Sequence, residues 1–297
     1  MRRVLRDEDR SGSAREGKQR KIASSFPNST GSARKRLSIT LVFSGTGAIT
    51  TPEEFFYHIF SPLPRQGPGC AAATRKAFSN LTGLPPDARA LDVGCGTGTQ
   101  TLDLARLLGG TIIAVDNHRP FLSTLHARAL VQGVNEKIAT VKASMEALPF
   151  SAGQFDLIWS EGAIYLMGFE KGLASWRSLC KKGGYLVVSD IAWFDRDPPD
   201  EQVRFWELEG CTLYREEEKV GQVRDAGLRL VATFRLPESG WWDHYYAPML
   251  GRVRTLMEIH MENPEFMHIL RSCEFETEIY QKYRRYFGYT FFIMQNI

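Results

Sequence analysis

The segment that most constrains this chain is Leu91-Asp92-Val93-Gly94-Cys95-Gly96-Thr97-Gly98-Thr99-Gln100-Thr101. It runs from a buried-strand candidate, Ala90 to Val93, into a helical segment, Gln100 to Leu108. Glycine at 94, 96 and 98 lets the backbone turn tightly and come close to a ligand. The helix N-terminus that follows favours a negative group. Asp116 stands 22 residues after Gly94, at the end of a second apolar run. A carboxylate there accepts hydrogen bonds from both hydroxyls of a ribose. The dinucleotide fingerprint G-x-G-x-x-G would need glycine where Thr99 stands, and the Walker-A sequence G-K-[ST] is absent.

Around this loop the chain alternates short apolar runs with helical periodicity. Strands are expected at Thr111–Val115, Ile138–Lys142, Phe155–Trp159, Tyr185–Ser189, Leu228–Leu236 and Tyr289–Met294. Helices are expected at Arg119–Gln132 and Lys171–Leu179, with a short one from Pro52 and another over Cys70–Leu81. Strands alternating with helices argue for a mostly parallel sheet covered on both faces. Between the last two strands lie about 50 residues with helical spacing. Residues 237–292 hold 13 of the chain's 34 aromatic residues, a composition suited to covering an amphipathic or cationic molecule.

Asp92-Val93-Gly94-Cys95-Gly96-Thr97-Gly98 resembles the first motif of class I S-adenosylmethionine-dependent methyltransferases. The resemblance continues through Val115-Asp116, Ser144 to Phe150, Phe155-Asp156-Leu157-Ile158 and Lys182-Gly183-Gly184-Tyr185-Leu186, and covers residues 50–297. It implies an α/β fold: a Rossmann-like, doubly wound, seven-stranded sheet of order 3-2-1-4-5-7-6. The last strand would be antiparallel, with a helical substrate-cover insertion over 237–287. It also implies S-adenosyl-L-methionine as cofactor. Asp92, Gly94, Cys95, Gly96, Gly98 and Gln100 would then surround its methionine part, and Asp116 and Asn117 its ribose. Ser144, Met145 and Glu146 would flank its adenine, with Ser144 where many members carry Asp. A narrower bacterial subgroup is resembled through Arg65-Gln66-Gly67-Pro68-Gly69, Trp159 to Tyr165 and Trp242 to Pro248. This implies a small-molecule methyl acceptor and makes Arg65 and Gly67 part of a lid on the cofactor, with Arg65 paired to a carboxylate of cofactor or substrate.

Ligands of open α/β sheets bind beyond the carboxyl ends of the strands, which brings forward Glu161 and Asp190. Glu161 is expected to orient cofactor or substrate or to act as a base. Tyr165 and Trp193 are candidates for the acceptor wall, and His244, in the cluster Trp241 to Tyr246, for a general base. Tyr283-Arg284-Arg285-Tyr286 shares its segment with Glu274, Glu276 and Glu278 and reads as a mixed-charge helix face. No Pro-Pro-aromatic follows the fourth strand, so nucleic acid is not the expected substrate.

Composition sets the remaining bounds. The formal net charge of +3 joins two unlike parts. Residues 1–48 carry 11 Lys/Arg and 4 Asp/Glu, a net of +7, and read as a basic disordered tail. The remaining 26 bases and 30 acids give −4 for a methyltransferase domain over 49–297. Five widely spaced cysteines, with no C-x-x-C, argue against a zinc site and fit a reducing, cytoplasmic setting. No apolar run reaches the length of a membrane span.

Overall fold

The structure, a computed structural model, describes residues 49–297. The basic segment 1–48 and the weak strand candidate Leu37–Phe43 within it lie outside the described residues.

The apolar runs pair into one mixed sheet. Strand β1 (Arg89–Val93) lies parallel to β2 (Thr111–Asp116) on one side and to β4 (Phe155–Glu161) on the other. Strand β3 (Ile138–Lys142) extends the sheet beyond β2, and β5 (Cys180–Trp193) extends it beyond β4. Strand β8 (Phe287–Asn296) inserts antiparallel between β5 and β7 (Leu228–Arg235). The order is β3-β2-β1-β4-β5-β8-β7. This is the expected order with one addition, a two-residue strand β6 (Tyr214–Arg215) beside Ala192 and Trp193 of β5. It takes the edge that β4 leaves after Glu161 pairs with Ser189. The burial patterns follow position in the sheet. Central β4 is buried at every residue, whereas edge strand β7 alternates.

Helices cover both faces. One face carries α1 (Pro52–Phe60), α2 (Ala71–Phe78), α3 (Thr99–Leu107) and α4 (Arg119–Val131). The other carries α5 (Phe169–Arg177), whose Leu173 and Trp176 pack on Leu91, Ile158 and Leu186. Helices α6 (Asp200–Leu208) and α7 (Glu216–Asp225) are additions to the sequence reading. Their polar sequences bury few positions, Gln202 and Phe205 in one and Lys219 and Val223 in the other, so their periodicity is faint.

The insertion before β8 is helical as expected. It comprises α8 (Glu238–Trp241), a π-helical turn (Trp242–Tyr246), α9 (Ala247–Ile259) and α10 (Pro264–Tyr283). The caps explain its breaks and those of α1. Thr51 and Glu54 form a capping box with Pro52 in the first turn of α1. Asn263 accepts from the N–H groups of Glu265 and Phe266 to start α10. The insertion packs back onto α1, where Phe55 stacks on Phe266 at 3.9 Å.

Candidate active site

The sheet order reverses between β1 and β4, and the loops after these strands open a cleft. The β1 loop is pulled against β2: the carbonyl of Val115 accepts the N–H groups of Gly94 and Cys95 at 2.9 and 3.0 Å. Gly94, Gly96 and Gly98 take φ of +72°, +55° and +83°, which disfavours any side chain there. A Cβ at 94 would also stand 2.5 Å from Cβ of Ala163, and one at 96 would stand 2.7 Å from Oε1 of Gln66.

Gln66 is the clamp that sequence reasoning passed over. Its Oε1 accepts from the N–H and hydroxyl of Thr97 at 2.8 and 2.9 Å, and its Nε2 donates to the carbonyls of Phe60 and Leu63. The Arg65–Gly69 segment is thereby fixed to the glycine loop. The N–H of Gly69 donates to the carbonyl of Gly240 and ties the same segment to the insertion.

A cavity of about 460 Å³ follows from this arrangement, within the range typical of small-molecule sites. At one end Asp116 accepts from the N–H of Gly96 at 2.9 Å and from that of His118 at 2.8 Å. Burial holds its carboxyl above the ordinary range. Each oxygen keeps a further lone pair for a ligand. Asn117 borders it, and Tyr57, stacked on His118 at 3.5 Å, walls the same end. The His118 imidazole is pushed down to about 4, chiefly by burial, so it is neutral near pH 7. Ser144, Met145 and Glu146 also line the cavity. The Ser144 hydroxyl accepts from the N–H of Glu146, the Met145 carbonyl from the Trp176 indole, and Glu146 pairs with Lys171 at 2.7 Å.

Midway along the cavity sits Glu161, 1% exposed at its side chain. Oε2 accepts from Arg65 Nη2 at 2.6 Å; Oε1 accepts from Thr74 Oγ1 at 2.7 Å and from the Trp159 indole N–H at 3.0 Å. A carboxylate so engaged is suited to holding the Arg65 guanidinium in place. Arg65 thus also has a partner within the chain, Glu161. Arg65 Nη1 is buried and has no partner among the described residues. With Arg65 lining the cavity, one guanidinium edge is left for a ligand carboxylate.

Asp92 and Gly98 stand behind the cavity wall. Asp92 Oδ2 accepts from Thr101 Oγ1 at 2.6 Å and from Gln100 Nε2 at 3.4 Å; Gln100 also donates to the Cys95 carbonyl. Burial pushes the Asp92 carboxyl up to about 7. The folded state thus holds this proton more tightly than the unfolded chain does. The associated stability is complete below the unfolded value near 3.8 and lost as pH rises through about 7. Asp92→Asn is expected to gain stability relative to wild type as pH rises from about 4 to about 8, by up to a few kcal/mol. Paired denaturant curves across that range check this, and a constant difference would contradict it.

The far end of the cavity is aromatic. Trp241, Tyr245, Tyr289, Phe205 and Trp206 line it, as does Tyr165 from the short turn after β4. The structure does not bring His244 or Trp193 to it. His244 is exposed on the π-helical turn, whose neighbours Trp241, Tyr245 and Tyr246 point inward. Trp193 is a core residue packed edge-on to Phe287. Glu276 is placed differently from the expected solvated face. It falls one helical turn from Cys273 and Tyr280, lines the cavity, and accepts from the Tyr246 hydroxyl at 3.1 Å. Burial raises its carboxyl above the ordinary range. Its spacing from the apolar positions of α10 was the available signal. Asp190 borders a second cavity of about 420 Å³, where it pairs with buried Lys219. Among the described residues no group of three His, Cys, Asp or Glu side chains is arranged to hold a metal ion, and no helix is long and apolar enough to cross a membrane.

This sheet order, with a glycine loop at the switch point, is that of the class I S-adenosylmethionine-dependent methyltransferase fold. The family described as "Methyltransferase domain" matches residues 90–184. An uncharacterized methyltransferase YodH of Bacillus subtilis is 29% identical over 145 residues, 49% of this chain and 61% of that protein. The ubiquinone/menaquinone biosynthesis C-methyltransferase UbiE of Azotobacter vinelandii is 33% identical over 115 residues, 38% of this chain and 46% of that protein. The chain spans only about half the length of such relatives. A crystal structure of a SAM-dependent methyltransferase from Geobacter sulfurreducens, in complex with S-adenosyl-L-homocysteine, shares the fold. Its TM-score is 0.72 at 19% identity, over 84% of this chain and all of that one.

Proposed function

We propose that this protein transfers the methyl group of S-adenosyl-L-methionine to a small-molecule acceptor. The observation that carries this reading is the convergence of the tight glycine loop, Asp116 and the half-free Arg65 guanidinium on one cavity. The groups fit the cofactor. Gly94 and Gly96 leave backbone approachable where a Cβ would collide, Asp116 has acceptor capacity for two ribose hydroxyls, and Arg65 Nη1 is a buried donor in need of an acceptor. Arg65 would hold the carboxylate of the methionine part, with Glu161 fixing the guanidinium. Tyr57, Asn117 and Ser144 to Glu146 would border the adenosine. When bound, the cofactor supplies an electrophilic methyl on a sulfonium.

The chain's own contribution is positioning and exclusion of water. The aromatic lobe and the residues Arg65 to Pro68 line the site, and with both ligands bound they would hold an acceptor atom in line and limit competing solvent. Burial keeps the phenols of Tyr245 and Tyr289 well above their ordinary range, so they remain protonated donors. The cavity's size and its aromatic lining support a small molecule over a nucleic acid. Among the described lining residues Arg65 is the one Lys or Arg, and it is held by Glu161, which leaves a phosphate backbone without counter-charge.

The test is incubation of the full chain with isotopically labelled cofactor and a metabolite extract. Mass spectrometry is expected to find a product heavier by one methylene and carrying the label. A purified chain that binds neither S-adenosylmethionine nor S-adenosylhomocysteine would refute the proposal.

A further inference from the structure

The second cavity, of about 420 Å³, lies beside the first, and Glu146, Met167 and Ile191 line both. Its charged lining residues are two acids and two bases, paired with each other. Glu146 and Lys171 meet at 2.7 Å, each more than half exposed at its side chain. Asp190, near the carboxyl end of β5, meets Lys219 of α7, and both side chains are only 2% exposed. The methyltransferase reading gives this inner pair no task.

The inner pair is incompletely satisfied. Lys219 Nζ donates to Asp190 Oδ2, and its ammonium lies over the Phe169 ring, 4.4 Å from the centroid. Asp190 Oδ1 is buried and has no hydrogen-bond partner among the described residues. A buried ion pair recovers its desolvation cost only when further hydrogen bonds fill the remaining lone pairs and protons. Apolar side chains of similar volume are often as stable in such a place, so stability alone does not account for the pair.

Charge decides what suits the pair. An anion would be repelled by Asp190, and a second ammonium by Lys219. A neutral hydroxyl meets both needs at one atom: it donates to Asp190 Oδ1 while a lone pair accepts from Lys219. Resting on the methyltransferase reading, we infer that the second cavity seats a neutral, hydroxyl-bearing end of the methyl acceptor, and that Asp190 and Lys219 select it. This hydroxyl serves recognition, and the methylated atom lies beyond Met167 and Ile191 in the first cavity. The substrate class is an amphiphilic alcohol, with an apolar body for the aromatic lobe and a hydroxylated end for the pair.

The experiment compares four probes with one apolar body: phenylpropanol, its methyl ether, phenylpropylamine and phenylpropionate. Each is titrated calorimetrically into the full chain, with and without saturating S-adenosylhomocysteine. The alcohol is expected to bind tightest. The ether, which accepts but cannot donate, should be weaker by roughly tenfold, and both ions weaker than the alcohol. The double variant Asp190→Leu with Lys219→Met removes both charges together and leaves neither unpaired, so it is expected to fold with a Tm near that of wild type. In it the alcohol should fall to the level of the ether, with S-adenosylhomocysteine affinity unchanged.

Equal binding of alcohol and ether, tightest binding of either ion, no binding of the alcohol at millimolar concentration, or an unaltered alcohol preference in the double variant would each overturn the inference. If the double variant unfolds, the pair is structural after all, and that outcome also counts against the inference. Failure of S-adenosylhomocysteine to bind overturns the cofactor reading instead. The titrations without it still decide the end-group preference of the second cavity.

Discussion

Asp116→Ala is expected to weaken S-adenosylhomocysteine binding by roughly 100-fold, measured by isothermal titration calorimetry. Two losses combine. The first is direct: the carboxylate is the acceptor offered to the ribose hydroxyls, and hydrogen bonds to a charged group contribute about 1.5–3 kcal/mol each. The second is indirect. Asp116 accepts from the N–H of Gly96 at 2.9 Å and from that of His118 at 2.8 Å, so it holds both the glycine loop and the turn that presents Asn117. Asp116→Asn separates the two, since its amide oxygen can still serve one N–H while the charge is lost; an intermediate affinity is expected. Wild-type affinity in the alanine variant would show that the ribose does not sit there.

The second large effect concerns stability. Glu161→Ala is expected to destabilise the fold by roughly 3–5 kcal/mol, because it leaves the buried Arg65 guanidinium without its counter-charge. The Arg65 side chain is 7% exposed, so water does not compensate fully. Thr74 Oγ1 and the Trp159 indole lose their acceptor in the same change. For a chain of this size the fall in Tm is roughly 10 °C. Glu161→Gln keeps the shape and an acceptor oxygen and should fall less. The pair of variants also discriminates roles. A positioning carboxylate loses stability and cofactor affinity together, whereas a base loses turnover with Tm unchanged. A Tm within a degree or so of wild type for Glu161→Ala would mean that Arg65 finds another partner.

Much of this architecture is legible in local sequence. The spacing from Gly94 to Asp116 places a loop and an acid at adjacent strand ends because β1 and β2 are neighbours in a parallel sheet, the usual outcome for consecutive strands. Pro52 and the Asn263-Pro264 pair mark helix starts through capping chemistry that acts within one turn. The added strand β6 escaped notice because two residues carry no period.

The site was less legible wherever it depends on pairing at a distance. Arg65 and Glu161 are 96 residues apart and meet at 2.6 Å, which no spacing rule encodes. His244 and Glu276 exchanged importance for a related reason. A cluster of aromatic residues marks a helix that packs on something, but the helical phase decides which member faces inward. The π-helical turn at Trp242–Tyr246 shifts that phase locally, with Tyr245 and Tyr246 buried and His244 left in solvent.

The sequence by itself determined the sheet class, the tight turn of the glycine loop and the position of Asp116. These follow from short-range sterics, hydrophobic period and the handedness of parallel crossovers. Only the tertiary structure decided that Glu161 is a held ion-pair partner, that Gln66 clamps the glycine loop, and that Glu276 lines the aromatic end of the cavity. Those outcomes arise from burial: once water is excluded, each charge must find a partner in space, and packing chooses which residues those are.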